Sequence, residues 1–303
     1  MNEIGQHIVQ EQDSDICIKY LSAQKQLYIA GKSTFAFQVI IAVPIPIIIS
    51  ILTPILSDSE QGIIWIFVLY SIIATFLEFF FEDRSMKLKK LAASIQERFD
   101  TTVLLITWNK TLIPNKPEDG VILRYCNKYI KKHKVDKLLG WYSREVQPVK
   151  TNIATLLCQR TNCSYDFILR KRYANTVLRL AASTFFILLI VAGQNEITVP
   201  SFISNVLFPS LPVFVLAYKQ ISSNREVIET LRELKDLIES ELERVKITDT
   251  IDSNLIRQIQ DKIYLKRINS PLLPGWAYNF LRQNLEDEMH FSMKETVKEL
   301  ARA

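Results

Sequence analysis

The sequence predicts a mainly α integral membrane protein: four transmembrane helices in two hairpins, carrying a cytoplasmic module that is α+β or mostly helical. Three observations lead there. Of 303 residues, 48% are hydrophobic and 23% charged, with a mean hydropathy of +0.09, so the apolar residues are gathered into clusters. Gly occurs only 7 times, about a third of the roughly 7% average usage, which favours long helices over turn-rich sheets. The clusters have the length of a bilayer span, about 20 residues. The same apolar content excludes a disordered chain, and four Cys in 303 residues exclude a disulfide scaffold.

The spans follow in order. Phe35 to Leu56 has no charge, and Gly62 to Phe81 has one, Glu78. Tyr173 to Gly193 has one charge, Arg179, and Ile197 to Tyr218 has none but contains Pro200, Pro209 and Pro212, which predict a kink. The alternative for the last two is a buried soluble hairpin. The polar first 33 residues lack the basic start and short apolar core of a signal peptide, so the first span reads as an uncleaved anchor.

Lys and Arg give the topology. Residues 1–34 hold 3, residues 82–172 hold 19 and residues 219–303 hold 14, whereas the short loops Ser57 to Gln61 and Gln194 to Glu196 hold none. The positive-inside rule then puts both termini and the middle segment in the cytoplasm. The divisions are a segment 1–34, a hairpin 35–81, a module 82–172, a second hairpin 173–218 and a helical region 219–303. The net charge of +5 is absorbed by this pattern, and no DNA or RNA polymer is implied. Cys17, Cys126, Cys158 and Cys163 fall on the reducing side. His7, His133 and His290 are too far apart in sequence to complete a zinc site, and no metal is expected.

Outside the spans, Met86, Leu88, Leu91, Ile95 and Phe99 extend the second helix as a stripe. Thr101 to Trp108 is β-branched and reads as a short buried strand. Val121 to Lys134 reads as a helix. Val149 to Cys158 and Tyr165 to Tyr173 also read as helical, the latter running into the third span. Ser223 and Glu226 have capping-box spacing. Val227, Leu231, Leu234, Ile238 and Val245 then form an apolar stripe that serves either the chain's own core or an oligomer. Ser253 to Lys266 reads as a helix ended by Pro271 and Pro274, and a last helix begins near Trp276.

No catalytic pattern is present. Ala30-Gly-Lys-Ser-Thr34 resembles the end of a phosphate-binding loop, but Gln26 stands where that loop needs Gly. Glu286, Asp287 and Glu288 read as a solvated helix face. No enzyme and no cofactor are expected. Within the spans, a Glu78–Arg179 ion pair would tie the hairpins together and break on opening; alternatively both side chains snorkel to the interface. Ser183 and Ser201 give the second hairpin a polar side that lines a water path or holds helices together.

Several stretches together resemble one family. They are Ala23-Gln-Lys-Gln-Leu-Tyr28; Phe99-Asp100 with Trp108-Asn109; Cys158-Gln-Arg-Thr-Asn162 with Asp166; Leu169-Arg-Lys-Arg-Tyr173; Arg257-Gln-Ile-Gln-Asp261; Lys266-Arg267; Pro271 with Pro274; and Met289-His290. Their order and spacing, with four spans paired two and two, resemble the SMODS-associated four-transmembrane effectors. Tyr165 departs from the Trp expected beside the aspartate, which weakens any role for that ring.

The resemblance implies an effector of bacterial cyclic-oligonucleotide-based anti-phage signalling. It would bind a cyclic di- or trinucleotide made by a cGAS/DncV-like nucleotidyltransferase. It would then permeabilise the inner membrane, as a homo-oligomer in the lipid bilayer, and arrest or kill the infected cell. Phosphates call for Arg forks and bases for aromatic platforms. The candidate ligand residues are therefore Arg160, Arg170, Arg257, Trp108, Tyr142 and Arg144, and the candidate gating residues Glu78, Arg179, Ser183 and Ser201. The competing readings are a membrane-anchored scaffold without a pore and a constitutive channel or transporter subunit.

Overall fold

The structure, a computed structural model, describes residues 5–42, 60–194, 199–203, 208–281 and 285–302. The described residues are helical almost throughout, and no β-strand forms among them. In chain order the helices are α1 (Gln6–Glu11), α2 (Asp15–Ala42), α3 (Glu60–Val103), α4 (Asp119–Ile130), α5 (Thr151–Gln194), α6 (Val199–Phe202), α7 (Phe208–Thr248), α8 (Ser253–Asn269), α9 (Gly275–Leu281) and α10 (Leu285–Arg302). Two short 3-10 turns, Asp136–Leu138 and Arg144–Val146, lie between α4 and α5.

Three helices are long: α3 and α5 have 44 residues each and α7 has 41. At 1.5 Å per residue each reaches about 60 Å. Each changes environment along its length. In α3, Leu69, Ile72, Phe76 and Phe79 are exposed, whereas Ala92, Ile95, Phe99 and Val103 are fully buried. In α5 the order is reversed: Ala154, Leu156 and Leu157 are fully buried, and Phe186, Ile187 and Ile190 are exposed. In α7, Val215 and Tyr218 are exposed, and Leu231, Leu234 and Ile238 are buried. Contiguous apolar surface of this extent is foreign to a water-facing monomer. Among the described residues one segment, Thr151–Ile190, is long and apolar enough to cross a membrane. Much of the first and part of the fourth expected span lie outside the described residues.

The buried ends form one helical head. α2 packs along α3 and α4, and α7 packs along α5. Their core unites Leu21 and Leu27, Ile95 and Phe99, Leu156 and Leu157, Leu231 and Ile238, and Ile259 and Ile263. Val227, Leu231, Leu234, Ile238 and Val245 are all buried inside the chain, so the stripe of α7 serves its own head.

The structure corrects several expected elements. Thr101 to Trp108 is not a strand. α3 runs to Val103, with the Thr101 hydroxyl bonding the Glu97 carbonyl and the Thr102 hydroxyl that of Arg98, each at 2.8 Å. The helix then ends on Leu105 at φ +54, and Ile106 N–H donates to the Thr101 carbonyl at 3.2 Å, the left-handed termination usually given to Gly. Burial of Val103 and Leu104 in the helical core overrides their β propensity. Ser223 and Glu226 do not cap a helix but lie within α7. The helices expected at Val149 to Cys158 and Tyr165 to Tyr173 are one helix, α5, and the expected last helix is two, α9 and α10. α8 matches its expected start: Asp252 caps it by accepting from Asn254 N–H at 2.9 Å.

Candidate functional site

The head is organised around α8, which carries polar side chains into an otherwise apolar core. Arg267 Nη1 meets Asp100 Oδ2 of α3 at 2.5 Å, with the carboxylate fully buried. Asp100 Oδ1 accepts from the Tyr142 hydroxyl at 2.7 Å. Gln260 Nε2 donates to Glu97 Oε2 at 2.8 Å and to Asp100 Oδ2 at 3.0 Å. Arg257 Nη2 lies 2.7 Å from Glu97 Oε1 and 2.7 Å from Asp261 Oδ1, and its Nη1 caps the Thr107 carbonyl at 2.8 Å. From α5, Gln159 donates to the Gln260 side chain at 3.1 Å and Asn162 to the Tyr142 hydroxyl at 3.2 Å. Burial, reinforced by the Asp100 charge, raises the Glu97 carboxyl, against the pull of Arg267. Burial also holds the Tyr142 phenol neutral, far above its usual range.

A second polar cluster lies nearer the exposed apolar ends. Asp166 Oδ2 of α5 accepts from Lys266 Nζ at 2.6 Å and Arg170 Nε at 3.0 Å. Arg170 Nη1 reaches Asn224 Oδ1 of α7 at 2.8 Å and the Pro271 carbonyl at 3.2 Å. Burial alone would raise the Asp166 carboxyl, but the two cations and their hydrogen bonds hold it well below the carboxylate range. On α3, Lys89 Nζ donates to the Ser270 carbonyl at 2.9 Å. α8 and the turn after it are thus bonded to α3 and α5, and Arg170 of α5 carries the cluster on to Asn224 of α7.

The third feature is a polar cavity of about 120 Å³ between α5, α7 and α10, lined by Arg160, Thr161, Ser164, Lys235, Glu239 and Ser292. Arg160 Nε pairs with Glu239 Oε1 at 2.6 Å, and its Nη1 donates to the Ser292 and Thr296 hydroxyls of α10 at 3.2 Å. Lys235 Nζ sits 4.8 Å over the Phe167 ring. A few residues on, Arg172 donates to the Leu281 carbonyl at 3.1 Å and to Glu288 at 3.1 Å. These two arginines fasten α9 and α10 to α5.

The model of the SMODS-associating 4TM effector domain matches residues 6–296. The chain belongs to this family. It is also 25% identical, over 287 residues, to a "probable CBASS effector molecule" of Bacillus cereus strain VD146, an alignment covering 93% of this chain and 95% of that protein. No solved structure matches. As a family member the chain is a helical membrane effector, and the stretches that carried the resemblance converge in the fold. Asp100, Gln159, Asn162, Arg257, Gln260 and Arg267 form the central network, and Asp166, Arg170 and Lys266 form the second.

The candidate ligand residues of this effector separate by accessibility. Arg170, Arg257 and Tyr142 are held in the buried networks. Trp108 is half-buried, bonded through Nε1 to the Ile113 carbonyl at 2.9 Å and covered by Lys116 Nζ at 5.4 Å. Arg144 is exposed in its 3-10 turn. Arg160 lines the cavity. Of the candidate gating residues, Arg179 and Ser183 are exposed along α5. The side chains of Glu78 and Ser201, and hence the expected Glu78–Arg179 pair, lie outside the described residues. Sequence reasoning did not single out Lys235 or Glu239; their signal was a place on α7 beside the buried stripe. Among the described residues no group of His, Cys, Asp and Glu forms a metal site, and all four Cys are buried and free.

Proposed function

We propose that this protein is a CBASS effector that binds a cyclic di- or trinucleotide in its helical head and in response permeabilises the inner membrane, with both termini in the cytoplasm. The messenger comes from a cGAS/DncV-like nucleotidyltransferase. In this reading the chain binds and opens rather than catalyses. One observation carries it: three helices run unbroken from a buried polar network into exposed apolar surface, so a rearrangement in the head moves membrane-facing segments directly.

Arg160 and Lys235 are the groups best suited to receive a phosphate. They are two accessible cations facing one small polar cavity, and a guanidinium fork fits phosphate oxygens. A cavity of about 120 Å³ suits a phosphate rather than a whole cyclic dinucleotide, so the rest of the messenger would lie outside it. A phosphate there competes with Glu239, Ser292 and Thr296 for Arg160 and loosens α10 from α5. α8, bonded to α3 and α5, and through Arg170 of α5 linked to Asn224 of α7, would pass the change to the spans. Holding the closed state at 99:1 and reversing it needs roughly 5.5 kcal/mol of differential binding, which further sites in an oligomer would help to supply.

The test is dye leakage from liposomes holding the full-length protein, screened against cyclic di- and trinucleotides. One messenger should release dye, and Lys235→Gln should shift its dose response at least tenfold without altering thermal stability. Silence with every messenger, from protein shown to be folded and inserted, would refute the pore and favour the scaffold reading.

A further inference from the structure

Where α2 and α3 leave the head, they and α4 enclose a slot of about 430 Å³, a volume typical of small-ligand sites. Its two ends differ in chemistry. Phe37, Phe80 and Phe81 form an aromatic end, with Phe37 stacked on Phe81 at 6.4 Å and Phe80 edge-on to Phe81 at 5.6 Å. Phe37 and Phe80 are both more than half exposed, in line with exposed Phe76 and Phe79. The other end carries Arg84 of α3 and Lys128 of α4, both exposed. Arg84 makes no ion pair among the described residues, and Lys128 rests on the Tyr125 ring at 5.2 Å. Gln26, which also lines the slot, holds a buried Oε1 that accepts no hydrogen bond among the described residues.

We infer that this slot is a site for an anionic phospholipid, its phosphate between Arg84 and Lys128 and its upper acyl chain over Phe37, Phe80 and Phe81. The apolar end is continuous with the surface that faces the bilayer, so a lipid reaches it by sliding along the helices. Basic pockets between spans, at the level of the headgroups, attract anionic lipids. Gln26 Oε1 is an acceptor for a hydroxyl on the headgroup, which a glycerol headgroup supplies and a choline headgroup lacks. A free phosphate or a cyclic nucleotide would leave the aromatic end unfilled. The inference rests on the membrane reading of the long helices and not on the identity of the messenger. The bound lipid would brace α2 and α3 against α4 at the foot of the first hairpin.

The test offers equimolar phosphatidylglycerol and phosphatidylcholine to the full-length protein in detergent and counts retained lipids by native mass spectrometry. Two cations at the usual strength of a juxtamembrane charge predict about a 30-fold preference for phosphatidylglycerol. Arg84→Gln with Lys128→Gln should bring the ratio near one, while Arg84→Lys should keep most of the preference. Lys87→Gln removes a charge one turn away, already paired with Asp83 at 2.7 Å, and should leave the ratio unchanged. Equal retention of both lipids by the wild type would overturn the proposal, as would a loss on Lys87→Gln matching that on Arg84→Gln. Displacement of the lipid by millimolar inorganic phosphate or by a cyclic dinucleotide would overturn it too, reassigning the slot to a soluble anion. Insertion into nanodiscs, scored separately, tests the membrane reading alone.

Discussion

Replacing Arg267 by Met tests whether the polar network of α8 holds the head together. The guanidinium is 8% exposed and its partner Asp100 is completely buried. After the substitution Asp100 keeps only neutral donors: the Tyr142 hydroxyl at 2.7 Å and Gln260 Nε2 at 3.0 Å. An uncompensated buried charge costs about 3–5 kcal/mol, and in a helical unit of this size each kcal/mol moves the melting temperature by roughly 2–4 °C. Arg267→Met should therefore lower the thermal midpoint by about 10 °C, read by scanning fluorimetry in detergent. The charge argument makes a second, sharper prediction. Adding Asp100→Asn to Arg267→Met removes the stranded carboxylate and should recover at least half of the loss, although it deletes another polar group. A midpoint within 2 °C of wild type for the single variant, or a double variant less stable than the single, would refute the reasoning.

Other perturbations probe separate parts of the head. Asp166 is held below its ordinary value by Arg170 and Lys266, so its stabilisation is complete above about pH 4 and is lost as pH falls below it; the midpoint gap between wild type and Asp166→Asn should narrow over that acid range. Glu97, raised by burial, acts with the opposite sign, its contribution being lost as pH rises through its folded value. A methyl group on Gly5 would stand 2.2 Å from the Val146 carbonyl oxygen, a backbone atom that cannot swing away, so Gly5→Ala should destabilise by about 1–3 kcal/mol and speed proteolysis near the N-terminus. Burial pushes the Cys17 and Cys163 thiols up to about 11 and Cys158 higher still; the native protein should leave all four Cys unmodified by a thiol reagent at pH 8, and denaturant should expose four.

Much of the architecture was legible because it is written locally. Gly62 to Phe81 and Tyr173 to Gly193 are apolar runs broken by one charge each, Glu78 and Arg179, and both lie in helices that continue into the head. α8 was legible from Leu255, Ile259 and Ile263 on one face and from the prolines beyond it, whereas its Asp252 cap came only with the structure. Thr101 to Trp108 misled because β-branched residues favour strands on average, while here a left-handed Leu105 closes a helix whose last turn is buried. Arg170 and Arg257 show the same gap at the site. They read as ligand groups because they sit inside the stretches that carry the family resemblance. In the fold, Arg170 meets Asp166 and Asn224, and Arg257 meets Glu97 and Asp261. Arg160 was legible as a candidate, but Lys235 and Glu239, which complete its cavity, were not.

The sequence by itself determined that the chain is helical, that it carries bilayer-length apolar segments, and which family pattern it bears. Those properties reside in composition, periodicity and spacing, which need no knowledge of what touches what. The tertiary structure alone decided which charges are structural. Asp100 and Arg267 are 167 positions apart, and nothing near either one announces the other. Their pairing follows from α3 and α8 meeting in the core, where a charge removed from water is tolerable only beside its opposite. The accessible cations Lys235, Arg84 and Lys128 are recognisable as candidate binding groups only once the buried ones have been accounted for.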